Sequence, residues 1–200
     1  CILDSSFNDL KNKDLLYGAI LENKPYADRA SDVVSYFKSI YTNALDINIS
    51  IWGNEQDCID DIRENHSNEY WNIKENEAYK TFFEKFGAAQ QKNVVGKLKN
   101  AKKFADISEI FYLEVIREDI ANQSSYSTVY STLAKYNDIH KINYSVYNEL
   151  SETKKISVAE KLQKAIGTIT SVKELKSTFE TYAENEKETK GGNSGESGNS

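Results

Sequence analysis

Residues 1–190 contain five glycines and one proline, and the other four glycines stand in the last ten residues, at Gly191, Gly192, Gly195 and Gly198. A β-sandwich needs a turn roughly every 8–12 residues, usually built on Gly or Pro. An α/β fold needs Gly at many of its loop turns. Six such residues supply neither, so the count predicts an all-α chain. The expected architecture is an irregular bundle of about eight to ten helices, as one body or as two or three small subdomains. Residues 1–184 read as the folded domain. Residues 185–200 have no apolar side chain; they cannot repay the entropy of ordering and read as a flexible polar tail or anchor spacer.

Spacing and caps place the helices. Ser6 and Asp9, three apart, predict a helix start, with Phe7, Leu10, Leu16, Ile20 and Leu21 on its apolar face. Pro25 opens a second helix, whose stripe is Tyr26, Ala30, Val33, Phe37, Ile40 and Ala44. The alternating run from Asp46 to Trp52 reads as an extended connection ending at Gly53. Residues 55–65 follow as a helix with Cys58, Ile59 and Ile62 inward. Ser67 or Asn68 then caps a helix carrying Trp71, Ala78, Phe82 and Phe86, and Gly87 falls where a left-handed cap would close it. A lysine-rich helix is expected over 88–104, and Asp106 or Ser108 starts the next, with Ile110, Phe111, Leu113, Ile116 and Ile120. Another begins at Ser124 or Ser125, and a short one is expected over 144–151. Ser157–Glu160 and Ser171–Glu174 read as capping boxes ahead of the last two apolar runs.

The composition narrows the class of partner. The formal net charge is −6, which argues against nucleic acid. No apolar run approaches the roughly 18 residues needed to span a bilayer, so contact with a membrane is expected only through a lipid anchor. Thirteen tyrosines among 12% aromatic residues argue for a folded body rather than a disordered one. Charge is segregated along the chain. Residues 54–90 carry nine acids against four bases, whereas residues 91–105 hold five lysines and no acid. Those five, Lys92, Lys97, Lys99, Lys102 and Lys103, form the candidate patch for an anionic partner, with Lys92, Lys99 and Lys103 on one helix face. The competing reading is a solvated face that pairs with the acidic segment before it.

Catalytic motifs are missing. His66 and His140 are isolated, and no nucleophile elbow, phosphate-binding glycine loop or metal-binding helix pair occurs. The segment Asp60, Asp61, Glu64 and His66 is the one place an enzyme could be sought. On a helix, however, Asp60 and Glu64 share a face that Asp61 and His66 leave, so a solvated acidic face is expected. No catalytic residue, cofactor, metal or small-molecule substrate is therefore predicted. Four glycosylation sequons, at Asn48, Asn65, Asn122 and Asn143, are about as many as chance gives so Asn- and Ser-rich a chain.

The chain opens on Cys1 and contains no methionine. This predicts a mature chain left by N-terminal processing. The two cysteines allow one bridge, Cys1–Cys58, in an oxidising compartment, against the alternative of two unpaired thiols. The small residues Ser194, Gly195, Ser197 and Gly198 suit attachment of a glycolipid. The Asn/Lys/Tyr-rich helical body, the Cys1/Cys58 pair, the scarcity of proline and the polar Lys190–Ser194 segment together resemble the piroplasm (Babesia) merozoite surface antigens. That resemblance implies an all-α, glycolipid-anchored protein on the cell surface, binding a host-cell protein or glycan at the erythrocyte. No binding residue is carried over from it, because no family motif matches here. The alternative is a spirochaete-type surface lipoprotein, lipidated on Cys1, that binds a host plasma or matrix protein. A second alternative is a small enzyme using the acidic segment near His66.

Overall fold

A computed structural model describes residue 8 and residues 10–22, 34–42, 53–63 and 77–189. The chain is all-α, as expected, and no strand occurs among the described residues. It divides into two compact units, Cys1–Glu118 and Asp119–Ser200.

The described part of the first unit contains α1 (Lys13–Glu22), α2 (helical over 34–42), α3 (Glu55–Arg63), α4 (Glu77–Glu84), α5 (Ala88–Leu98) and most of α6 (Phe104–Ala121). Helix α6 is the centre of its core. Six consecutive residues, 111–116, are buried, the mark of a helix covered on all sides rather than on one stripe. Its Phe111 and Tyr112 rings meet Phe83 and Tyr79 of α4 at 5.5 and 4.6 Å between centroids. The one charged member of the run, Glu114, is tied to Arg117 one turn on, and burial pushes its carboxyl above the usual range. Leu10 and Leu16, at the start of α1, pack with Ile40 and Tyr41 of α2 in a separate apolar cluster. Gln91 of α5 joins three helices: it accepts from Arg63 Nη2 of α3 at 2.9 Å and donates to Phe83 O of α4 at 3.0 Å.

The second unit contains α7 (Tyr126–His140), α8 (Ser145–Glu149), α9 (Glu152–Ala165), a 3-10 turn (Ile166–Thr168) and α10 (Val172–Glu188). Helix α9 packs on α7 and α10, and α8 on α10. The core is Val129, Leu133, Tyr136, Val158, Leu162, Leu175 and Phe179. A ring cluster covers it: Tyr130 stacks on Tyr147 at 4.9 Å, and both Tyr144 and Tyr147 lie against Phe179.

Several expected boundaries move. Helix α1 starts at Lys13, capped by Asn12, rather than near Ser6. Helix α4 turns Tyr79 and Phe83 inward and leaves Phe82 and Phe86 half-buried. Gly87 is not a left-handed cap: its φ is −67°, and it stands at the N-cap of α5, where its N–H donates to Gln90 Oε1. The left-handed position belongs to Lys141, φ 51°, at the end of α7. Ser157 is not a cap either. Helix α9 begins five residues before it, and its hydroxyl reaches Glu186 Oε1 at 2.7 Å. Ser171 does cap α10 by accepting from Glu174 N, but the Glu174 carboxylate returns to Thr170 rather than Ser171. Helix α10 continues to Glu188, past the expected tail boundary at 185, because Lys154 of α9 donates to the carbonyls of Glu186 and Thr189. The extended run 46–52, most of the Ser6–Asp9 start and the start expected at Ser67 or Asn68 lie outside the described residues.

Candidate functional site

The five candidate lysines are all exposed, but they do not lie on one helix. Helix α5 ends at Leu98 instead of running to 104. The Asn100 and Ala101 N–H groups turn back to Lys97 O and Leu98 O, tightening the last turn. Ala101 is fully buried, and its carbonyl accepts from Asn12 Nδ2 at 2.6 Å. The next two N–H groups, of Lys102 and Lys103, both donate to Asp106 Oδ2 at 2.9 and 3.1 Å. Asp106 is thus the third residue of α6, reaching back to the helix start, rather than the residue that opens it.

This bend sends the lysines to different places. Lys97 lies toward α6, where its charge lowers the Glu114 carboxyl pKa against the larger effect of burial. Lys103 backs onto α1: a Cβ built on Gly18 would meet Lys103 Cβ at 3.1 Å and Lys102 O at 2.8 Å. The absence of a side chain at Gly18 is what admits the 102–103 backbone so close to the helix. Lys92, Lys99 and Lys102 remain as groove-lining residues.

Two grooves meet at Lys99. The first, ≈ 480 Å³, is lined by Leu10, Lys11, Asn12, Lys13 and Asp14 at the start of α1 and by Lys99 and Lys102. The second, ≈ 390 Å³, is lined by residues 53–56 at the start of α3 and by Lys92 and Lys99. Each borders a helix start capped by an asparagine: Leu15 N donates to Asn12 Oδ1 at 3.2 Å, and Gln56 N to Asn54 Oδ1 at 2.9 Å. The positive ends of two helix dipoles therefore border the same lysines. Among the described residues two carboxylates line the grooves, Asp14 and Glu55. Asp14 pairs with Lys102 at 3.2 Å, an exposed ion pair worth little to stability. The chemistry offered is capture of negative charge by ammonium groups at an open surface.

Asn12 organises this site. It caps α1, holds the end of α5 through Ala101 O, and lies between Lys11 and Lys13. Those two lysines escaped the sequence reading, which sought charge in one contiguous run. The signal available was an Asn flanked by lysines directly before an apolar helical pattern.

The remaining candidates stand apart from the grooves. Cys58 is buried at 1% exposure in α3; Cys1, and with it the expected bridge, lies outside the described residues. Asp60 accepts from Gln56 Nε2 at 2.8 Å on its own helix, while Glu64 and His66 lie outside the described residues. No group of acids, histidines and cysteines able to hold a metal occurs among the described residues. His140 lies in the second unit, where burial first and Lys176 second lower its pKa to about 4. No described helix is long and apolar enough to cross a membrane. The chain matches no protein-family model, no curated protein and no solved structure.

Proposed function

We propose that this chain is a surface-displayed helical adhesin, not an enzyme, that binds an anionic component of a host cell surface, the erythrocyte's first of all. The observation that carries the reading is the convergence of Lys11 and Lys13 with Lys99 and Lys102 in one open groove of a chain whose net charge is −6. In a net-negative protein, a local cluster of cations is a surface toward which an anionic partner is steered. The composition of the helical body, which resembles that of piroplasm surface antigens, points to the erythrocyte as the first cell to test.

The test is binding of fluorescently labelled protein to intact host erythrocytes by flow cytometry. The reading predicts saturable binding that weakens as salt is raised and falls on Lys99→Glu. A matched reversal on an exposed lysine of α10, Lys173→Glu, leaves binding unchanged. Absence of cell binding, or equal loss in both variants, contradicts it.

A further inference from the structure

We infer that the two grooves form one track for a linear sulfated polysaccharide, with Lys99 at the junction. The inference rests on the anion-binding reading above and names the ligand class. Lys11, Lys13 and Lys102 border the track on one side of Lys99, and Lys92 on the other. Because Lys99 belongs to both grooves, a polymer of closely spaced negative charges passes from one to the other along the same cations. A single small anion engages one groove only.

The lining selects among polyanions. Among the described residues it contains no arginine. Lysine meets an anion as a point charge without the fixed bidentate geometry of a guanidinium, so the lining answers to a row of spaced charges rather than to one planar group. Among the described residues no aromatic side chain lines either groove, so none of them offers single-stranded nucleic acid a stacking platform. Among the described residues the one large apolar side chain in the lining, Leu10, is 5% exposed. No described side chain there wedges among acyl chains, as an interfacial lipid-binding surface requires. Both grooves are open rather than enclosing, which suits a chain lying across the surface better than an engulfed small molecule.

The full chain is titrated with heparin as the probe, alongside chemically desulfated heparin and vesicles containing anionic lipid. Heparin is expected to bind, and binding is expected to weaken at least about tenfold between about 50 mM and about 200 mM salt. Lys99→Glu is expected to weaken it about five- to tenfold and Lys92→Glu by less, because Lys92 borders one groove. Lys173→Glu, with the same change in net charge, is expected to shift it less than about twofold. Circular dichroism checks that each variant is folded. Binding that survives desulfation, an equal response to Lys99→Glu and Lys173→Glu, or binding to vesicles but not heparin overturns the inference. Erythrocyte binding without heparin binding overturns the polysaccharide and leaves the adhesin reading standing. Heparin binding without cell binding supports the track and counts against the adhesin.

Discussion

Replacing Asn12 by alanine tests how the site is held together. Its side chain makes two bonds of different kinds. Asn12 Oδ1 accepts from Leu15 N at 3.2 Å, capping α1, and Nδ2 donates to Ala101 O at 2.6 Å. Losing the cap costs about 1 kcal/mol. Losing the donor strands a carbonyl on a residue with no exposure, which costs about 1–3 kcal/mol more. The sum is about 2–4 kcal/mol. With a urea dependence of about 2 kcal/mol per molar, the midpoint falls by about 1–2 M. Loss of helix is followed by circular dichroism. Asn12→Asp keeps the acceptor and removes the donor, so it is expected to lose at least half as much. A midpoint for Asn12→Ala within about 0.3 M of wild type refutes the reasoning, as does full recovery by Asp.

Three further changes follow from the same geometry. Gly18→Ala gains up to about 1 kcal/mol of helix propensity but drives a methyl against Lys102 O, so a net loss of about 1–2 kcal/mol is expected in the same urea assay. Lys141→Gly relieves a left-handed φ of 51° at the end of α7 and is expected to raise the stability of the second unit by about 0.5–1 kcal/mol, measured by thermal melts. His140 has a folded pKa of about 4, below its ordinary 6.5. The unfolded chain therefore binds the extra proton between those values, and this contribution to stability is present above pH 6.5 and lost as pH falls toward 4. Discounted for solvent screening of a half-buried ring, it amounts to about 1–2 kcal/mol, and His140→Gln is expected to flatten the stability–pH curve in that window.

What the sequence reveals depends on where each residue's partner lies. Ser171 is readable as a cap because its partner, Glu174, is three residues away. The apolar run of α6 is readable because burial on all sides leaves one signature, and Phe111, Leu113 and Ile116 are buried as expected. The end of α5 is not readable. Neither Lys99 nor Asn100 is a glycine or proline, and the group that donates to the Ala101 carbonyl just beyond the helix is Asn12 Nδ2, 89 residues earlier. That unread bend separates Lys97 and Lys103 from Lys99. It also brings Lys99 and Lys102 beside Lys11 and Lys13, whose charges in the linear sequence look scattered. Ser157 misleads for the same reason: a hydroxyl shaped to cap a helix instead binds Glu186 of another helix.

The proposed capture of negative charge takes place where the starts of α1 and α3 meet the end of α5. Titrating the isotopically labelled chain with a short heparin oligosaccharide, while following backbone amide resonances, tests it most directly. Saturable shifts are expected to concentrate at residues 10–14, 53–56 and 92–103, with the amides of α9 and α10 unmoved. Shifts centred on the second unit, or spread evenly over exposed lysines of both units, would contradict it.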